Sequence, residues 1–349
     1  MTNRCRYVGY GILGLLLLGG CGEESARERA GNEPPAVAQA VQAATPPQPG
    51  AVPASALQRQ TDEFLEFVPP KRSPQTIELV SMPIAETDVP VIDGVTREPV
   101  WTRAAAITTL DFASQRPITL QAVHTAEQIF FRVTYPDAAS SETHKSWGWD
   151  LRESIYKPMP DREDMFVFKW SLVGNNVHLG LNKAEPHRAD IWFWKAHRTN
   201  STGYADDKWQ LVSDDFQAKA KELTSPAHGS LFFRRVGDEG LSAYSEKQFY
   251  EYQGETLPKY YPRQPQGSRA DIRAKGVWEA GYWTIEWARK LQTGHKDDLV
   301  LIPGLTYLFG VSCYEIAGDK IHAKWFQPLY RAGDVFDRLL LRIAEKDAS

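Results

Sequence analysis

Short stretches of alternating or largely apolar residues, separated by turn-forming residues, run along the chain from about residue 76 to residue 345. Alternation with a period of two is typical of β-strands, and clusters of Gly, Pro, Asn and Asp predict the turns between them. The predicted strands cover residues 128–135, 164–172, 177–181, 190–196, 230–234, 282–288 and 305–314. Helical periodicity is scarce, and residues 215–223 are its best candidate. The pattern predicts an all-β fold, an antiparallel β-sandwich with few short helices.

The N-terminal segment carries a different pattern. Arg4 and Arg6 precede an apolar run that ends in Leu-Gly-Gly-Cys21, so residues 1–20 are predicted to be a secretory signal peptide. The ending resembles the bacterial lipobox, which implies that Cys21 is lipidated and anchors the chain to a membrane. The residue after Cys21 is Gly and not Asp, so the resemblance implies the outer membrane and a periplasmic location. The alternative is a plain signal anchor with an incidental cysteine.

Composition separates the rest of the chain into two parts. Residues 21–75 are rich in Pro, Ala, Gln and Glu and nearly free of aromatics, which predicts an extended tether without a core of its own. Residues 76–345 have globular composition and form the predicted sandwich domain. Within it, residues 236–275 contain many Pro and Gly residues and are predicted to be a long insertion.

Charge and cysteine content exclude several classes of function. The formal net charge is −4 and no basic stripe is visible, which argues against a nucleic-acid partner. Three cysteines, of which Cys313 is alone in the domain, predict no intramolecular disulfide and no cysteine-based metal site. Residues 76–345 contain no nucleophile-elbow, zinc-protease, P-loop or dinucleotide motif. We therefore do not expect a catalytic site in this chain.

An aromatic and charged run, residues 190–200, is the main candidate for a binding site. Its members are Trp192, Trp194, Lys195, His197 and Arg198. One interpretation places the aromatics on a large flat ligand and pairs the cations with its carboxylates, while another places the run at the rim of a sugar groove. The alternative without a binding role places both indoles in the core and Arg198 in a loop salt bridge to Asp206 or Asp207. A non-haem metal site formed by His178, His187 and His197 is disfavoured, because their spacings match no ligand motif.

Several motifs resemble one family in their order along the chain. Residues 91–94 (Val-Ile-Asp-Gly) with Trp101, and residues 282–294, resemble carbohydrate-binding module 9 and DOMON-like sandwiches. Residues 161–168, 190–198 and 203–207 resemble the haem-binding domain of the ethylbenzene dehydrogenase γ-subunit type. The resemblance spans about residues 90–330 and implies an immunoglobulin-like or module-9-like sandwich.

The resemblance also implies a cofactor. In that family a non-covalent haem b lies between the sheets, with a Met and a Lys as axial ligands. Met165 fits the first position because Asp-Arg-Glu-Asp precedes it, and Lys320 is the first choice for the second. His322 and Lys324 compete with Lys320, because this segment carries a His and two Lys residues where the family has a Gly-rich turn followed by Lys and Ser.

Two functions of different classes remain open at this point. The first is electron transfer by a lipid-anchored periplasmic haem protein, with a redox partner such as a molybdenum oxidoreductase or a cytochrome chain. The second is carbohydrate binding without haem, in which Trp192, Trp194 and Trp147 or Trp149 would stack on sugar rings. A haem-free scaffold is a third possibility, since fold alone does not decide function.

Overall fold

A β-sandwich makes up nearly all of the described chain, which in this computed structural model comprises residues 73–111, 116–180, 185–225, 227–314 and 336–345. The strands are β1 (Thr76–Pro83), β2 (Ala106–Leu110), β3 (Pro117–His124), β4 (Gln128–Pro136), β5 (Trp147–Asp150), β6 (Ile155–Pro158), β7 (Met165–Ser171), β8 (His187–Lys195), β9 (Asp206–Ser213), β10 (Lys221–Ser225), β11 (Gly229–Gly237), β12 (Tyr244–Glu246), β13 (Thr256–Leu257), β14 (Tyr260–Pro262), β15 (Arg273–Glu279), β16 (Tyr282–Lys290), β17 (Thr306–Tyr314) and β18 (Arg338–Ile343). The helices are α1 (Val100–Arg103) and 3-10 turns at Glu86–Asp88, Asn200–Thr202 and Gly267–Ala270. The predicted all-β sandwich with few short helices is confirmed.

Strand β1 joins the two sheets of the sandwich. The first sheet has the order β10-β11-β9-β8-β7-β17-β18-β1, and the second has the order β1-β3-β4-β16-β15, with β2 beside β3. The first part of β1 pairs with β18 and its last two residues pair with β3, both in parallel. The remaining pairs within the two sheets are antiparallel, so the sandwich is mixed and not wholly antiparallel as predicted.

Aromatic side chains from both sheets fill the space between them. Phe168 and Trp170 of β7 and Trp192 of β8 meet Phe131 of β4, with ring centroids 5.0 to 5.8 Å apart. Trp287 of β16 meets Phe168 edge to face at 5.2 Å. Such pairs contribute about 0.5–1.5 kcal/mol each beyond the apolar area they bury. This core rigidly fixes the strands that carry the candidate site.

Two predicted elements differ from the structure. Residues 215–223 form no helix: Phe216 is 77% exposed, and residues 221–225 pair with β11 as the edge strand β10. A helix needs a buried apolar face to be stable in so short a segment, and this stretch has none. Residues 177–180 form no strand, although a strand was predicted over 177–181.

The predicted opening motif of the sandwich is held by one buried carboxylate. Glu286 of β16 accepts hydrogen bonds from the Trp101 indole at 2.8 Å and from the backbone N–H of Gly94 at 2.8 Å. Gly94 has a φ of +80°, and a Cβ at this position would lie 2.9 Å from Val277. The motif therefore has a structural role, because it fixes Gly94 and Trp101 to the outer surface of the second sheet.

All described residues belong to the second of the two units into which the chain divides, Leu65–Ser349. The predicted signal peptide, the lipidation site Cys21 and nearly all of the predicted tether lie outside the described residues. Within the part of the chain that the structure describes, no helix has the length and apolar character needed to cross a membrane.

Candidate functional site

The acidic motif before β7 positions Met165. Asp164 is fully buried, and its carboxylate accepts hydrogen bonds from the backbone N–H of Ser141 at 2.7 Å and from the Trp283 indole at 3.1 Å. The Asp164 carbonyl accepts a hydrogen bond from the Ala196 N–H at 2.9 Å. These bonds tie the start of β7 to the end of β8 and to the second sheet. The site of Met165 is therefore well defined.

Met165 lies on the outer face of the first sheet, which is the face directed away from the second sheet. Strand alternation puts Met165 and Val167 on this face and Phe166 in the core. Met165 is 7% exposed and packs in a small apolar cluster with Phe193 and Tyr314. Its thioether is thus held in an apolar, nearly buried position.

Arg198 connects this thioether to the acidic motif. Its Nη2 lies 3.7 Å from the Met165 Sδ, and its Nε donates to the buried Glu163 carboxylate. Glu163 also accepts from the backbone N–H groups of His197 and Arg198, at 2.7 and 2.8 Å. Strand β8 ends at Lys195, so His197 and Arg198 lie in the turn that follows it. The predicted ion pair of Arg198 with Asp206 or Asp207 is replaced by this pairing with Glu163.

The predicted insertion provides a wall of the site. The Tyr244 and Tyr260 rings lie 5.3 and 5.2 Å from the Arg198 guanidinium, within cation–π range. The two rings meet edge to face at 5.6 Å. Both tyrosines belong to the β12–β14 pair, so residues 236–275 are partly structured and contact the site directly.

A second group of charges surrounds Asp206 on the same face. The Lys195 amine lies 2.5 Å from the Asp206 carboxylate, the Lys208 amine lies 2.9 Å from it, and Arg269 also bonds to it. The Tyr244 hydroxyl donates to Asp206 at 3.2 Å. Burial opposes ionisation of Asp206, but the three cations outweigh it and hold the pKa of this carboxyl well below its usual range. Asp206 is therefore ionised across the physiological range.

Cations outnumber carboxylates in this region. We define the cationic cluster as Lys195, Arg198, Lys208 and Arg269 with the two carboxylates Glu163 and Asp206. Burial lowers the pKa of Lys195 to about 8, partly offset by attraction to Asp206. Burial, followed by repulsion from Arg198 and other nearby cations, lowers the pKa of His144 to about 2. The neutral His144 lies 3.4 Å from Glu163. The cluster thus has surplus positive charge and can accommodate an anionic group.

The indoles of Trp192 and Trp194, which were predicted to belong to the binding site, lie apart from the cationic cluster. Trp192 and Trp194 have no exposed surface and point into the core between the sheets, where Trp192 meets Trp170 at 5.0 Å and Trp194 meets Trp283 at 4.9 Å. A Cβ at Gly276 would lie 2.5 Å from the Trp194 ring, which shows how tightly it packs. Neither indole is placed to stack on a sugar ring. A haem ligated by Met165 cannot lie between the sheets either, because Met165 points to the opposite face.

The three histidines do not converge. His187 is buried, its Nε2 lies 3.0 Å from the Gln210 side-chain amide, and burial lowers its pKa to about 3. His178 Nδ1 accepts a hydrogen bond from the Gly180 N–H, and His197 belongs to the turn after β8. Among the described residues, the groupings that could hold a metal ion contain none of these three. The other predicted ligands, Lys320 and His322, lie outside the described residues.

Sequence reasoning missed most partners of the cationic cluster. Asp206 was noted only as a salt-bridge alternative, and Glu163, Lys208, Tyr244 and Arg269 were not singled out. The available signal was the acidic motif before Met165 together with an insertion rich in tyrosine and arginine. The pairing of β8 with β9, which places Phe193 opposite Asp206, brings the residues of the cationic cluster together.

Comparison with known proteins identifies one family. Residues 96–325 match the ethylbenzene dehydrogenase family. A search of curated proteins gave no match. Among solved structures, a carbohydrate-binding module of family 9 from Caldicellulosiruptor kristjanssonii in complex with cellotriose is 10% identical, with a TM-score of 0.37 over 78% of this chain and 97% of that chain. Its complex with glucose is 8% identical, with a TM-score of 0.38 over 79% and 99%. The family match covers well over half of the sequence, so the chain belongs to the ethylbenzene dehydrogenase family.

Proposed function

We propose that this protein binds haem b non-covalently and transfers single electrons, as a subunit or partner of a molybdenum oxidoreductase or a cytochrome chain. The observation that carries the proposal is the nearly buried Met165 thioether beside a cluster with surplus positive charge. A thioether is a soft donor that suits haem iron, and cations suit the carboxylates of haem propionates. Bound haem would supply the one-electron chemistry. The family match supports an association with oxidoreductases.

The cationic cluster would contribute electrostatic stabilisation. Glu163 and Asp206 neutralise two of its four cations, so the positive charge of the remaining two is available to propionates. Arg198 is the cation nearest to Met165, at 3.7 Å from its sulfur. The Tyr244 and Tyr260 rings contact this guanidinium at 5.3 and 5.2 Å. These residues would bind and orient the cofactor on the outer face of the first sheet.

Lys195 does not qualify as the second axial ligand. It lies directly opposite Met165 in the β7–β8 pairing and on the same face, so the two side chains stand beside each other. The Lys195 amine is already bound to Asp206 and would not be free to hold the iron of a haem bound at Met165. Tyr314 pairs with Met165 on the other side, and Lys320 follows it by six residues. We therefore retain Lys320, with His322 as the alternative, as the proposed second ligand.

The test is a reduced-minus-oxidised visible spectrum of the full chain secreted by a haem-sufficient host. We expect a Soret band, with sharp α and β bands on reduction, in the wild type. Met165→Leu keeps the side-chain volume but removes the sulfur, and it should lose the low-spin bands. Met82→Leu is the matched control, because Met82 is 47% exposed at the end of β1, and its spectrum should not change. Absence of haem binding in the wild type, or an unchanged Met165→Leu spectrum, would contradict the proposal.

Carbohydrate binding is the second candidate, and one observation favours it. Trp149 meets Tyr156 at 4.9 Å and the 57%-exposed Tyr252 at 5.3 Å, which forms an accessible aromatic patch on the small β13-β5-β6 sheet. Accessible aromatic rings can stack on sugars, whereas Trp192 and Trp194 cannot reach one. Retarded migration in gels containing soluble glucans, lost in Trp149→Ala and retained in Met165→Leu, would favour this function. Proposed lipid anchoring at Cys21 and a periplasmic location apply to both candidates.

A further inference from the structure

Four aspartates from separate parts of the chain meet between the two sheets. Asp190 lies on β8, Asp207 on β9, Asp238 directly after β11, and Asp298 in the segment between β16 and β17. We call them the acidic cluster; all four are buried, and Asp190 and Asp207 have no exposed surface. One carboxylate oxygen each of Asp190, Asp207 and Asp298 lie within 4.8 Å of one another. The backbone N–H of Asp238 donates a hydrogen bond to the Asp207 carbonyl at 3.2 Å, so Asp238 lies beside the other three aspartates.

Donors in the described residues satisfy only one oxygen of this cluster. Asp190 Oδ2 accepts from Arg289 Nη1 at 2.8 Å and from the Leu299 N–H at 3.0 Å. The other Asp190 oxygen, and both oxygens of Asp207, Asp238 and Asp298, are buried without a hydrogen-bond partner among the described residues. His295 Nδ1 approaches Asp298 only to 3.9 Å.

Burying these four carboxylates together is unfavourable in free energy when no ligand is bound. A buried carboxylate without a partner loses its hydration, and proteins compensate by pairing it or by coordinating a metal. Arg289 supplies one positive charge for four acids. Burial and the neighbouring carboxylates raise the pKa of Asp207 well above its usual range, and burial raises the pKa of Asp238 to about 8. Buried carboxylates this close together, most of whose oxygens have no partner among the described residues, require either protons or a cation between them.

We propose that the acidic cluster is a binding site for a divalent cation of the calcium type. Every candidate donor atom is a carboxylate oxygen, the ligand that hard cations prefer, and Ca²⁺ accepts six to eight such oxygens in flexible geometry. Zinc sites in proteins use Cys or His. Magnesium usually keeps several of its waters.

Such an ion would connect four chain segments. It would join β8 and β9 of the first sheet, the end of β11 and the segment after β16 of the second sheet. Both Asp207 carboxylate oxygens are buried without a partner among the described residues, and one of them lies within 4.8 Å of an oxygen of Asp190 and of Asp298, which distinguishes this site from an ordinary acidic surface. A neighbouring group of Asp271, His295 and Asp298 is partly exposed, and His295 already bonds to Asp271 at 2.6 Å, so it supports no separate site.

The experiment measures calcium and thermal stability of the full chain. Protein purified in chelator is titrated with CaCl₂, and its melting temperature is recorded. We expect a rise of about 5 °C at a calcium concentration roughly 100-fold above Kd. Asp207→Asn keeps the side-chain shape, and it should weaken calcium binding by roughly 100-fold and reduce the rise to about 1 °C or less. Asp215→Asn, an exposed aspartate beyond the other end of β9, is the matched control and should behave as the wild type.

Two results would overturn the proposal. One is a wild-type melting temperature that calcium does not change, together with no calcium by elemental analysis after purification without chelator. The other is an Asp207→Asn variant that keeps the full calcium response. The melting temperature of Asp207→Asn in chelator shows independently whether this variant folds. We expect it to equal or exceed the wild-type value in chelator. The test is separate from the haem proposal, since Asp207 and Met165 lie on opposite faces of the first sheet.

Discussion

Asp206 and Asp207 are neighbours in β9, and both are buried, yet they meet opposite electrostatic environments. Strand alternation places Asp206 on the outer face among Lys195, Lys208 and Arg269, and it places Asp207 between the sheets beside other carboxylates. Burial opposes ionisation of both. Attraction to the cations nevertheless holds the pKa of Asp206 well below its usual range, whereas repulsion raises that of Asp207 well above it. The comparison shows that the face of the sheet, and not the residue type, determines what each aspartate can do.

The strongest test of this comparison replaces each aspartate by asparagine. Asp206→Asn leaves three cations around an uncharged amide, and breaking a buried ion pair in this way typically costs about 3–5 kcal/mol. Asp207→Asn removes a repelled charge, so the variant should be as stable as the wild type or more stable in chelator. Urea denaturation at pH 7 measures both free energies of unfolding. Equal losses in the two variants would show that the environments do not differ as described.

A smaller effect is expected from pH in chelator-treated protein. Because the folded-state pKa values of Asp207 and Asp238 are raised, these two groups bind more protons in the folded protein than in the unfolded chain between about pH 4 and 8. Their contribution to stability is therefore largest below this window and decreases as the pH rises through it, by an amount on the order of 1–3 kcal/mol. His144 and His187, whose pKa values burial lowers to about 2 and about 3, contribute in the opposite sense up to their ordinary pKa of 6.5. Asp206 acts in the opposite sense, but its contribution is already complete above its ordinary pKa of 3.8 and is lost only in stronger acid.

The slope in this window identifies the acidic cluster as the cause. The difference in free energy of unfolding between the wild type and Asp207→Asn, which share these histidines, should decrease as the pH rises through the window, and the difference between the wild type and Asp215→Asn should not change with pH. Saturating calcium should remove the contribution of the acidic cluster to the pH dependence, since a bound cation replaces the protons. A difference between the wild type and Asp207→Asn that rises between pH 5 and 8 in chelator would contradict the assignment of raised pKa values.

The smallest predicted effect is that of removing the hydroxyl of Tyr244, the tyrosine that joins the insertion to the outer face of the first sheet. Tyr244→Phe removes the hydroxyl that lies 3.2 Å from Asp206 and 3.3 Å from Lys195, and it keeps the ring beside Arg198. Loss of this buried hydrogen bonding should cost about 0.5–1.5 kcal/mol in urea denaturation. Tyr250→Phe is the control, because Tyr250 is 89% exposed and its change should cost nothing measurable. An unchanged Tyr244→Phe stability would mean that the hydroxyl is not part of the cluster.

Strand pattern made much of the fold predictable. Residues 128–135, 164–172, 190–196, 282–288 and 305–314 correspond to β4, β7, β8, β16 and β17, because each combines β-branched or aromatic residues with flanking turn signals. The two segments for which the prediction was wrong, 177–181 and 215–223, are short and lie in the connections before β8 and before or within the edge strand β10. The parallel pairing of β1 with β18 and β3 joins segments far apart in sequence, which no local pattern can reveal.

The candidate site was predicted less completely than the fold. Met165 and the 190–200 run were identified as site candidates, and the run does border the cationic cluster through Lys195 and Arg198. The tryptophans of the same run lie in the core, because alternation sends neighbouring side chains to opposite faces and the sequence does not say which face is buried deeper. In this sandwich both faces of β7 and β8 are buried.

Sequence by itself determined the local elements: the short strands, the turns between them, the alternation that separates Met165 from Phe166 and Asp206 from Asp207, and the acidic motif before β7. Tertiary structure decided which charges meet. Pairing of β8 with β9 and folding of the insertion over the first sheet bring Lys195, Asp206 and Arg269 together, while the packing of β16 and its following segment collects Asp190, Asp207 and Asp298. The physical reason is that burial and electrostatic interaction depend on distance in space, whereas the sequence records only distance along the chain.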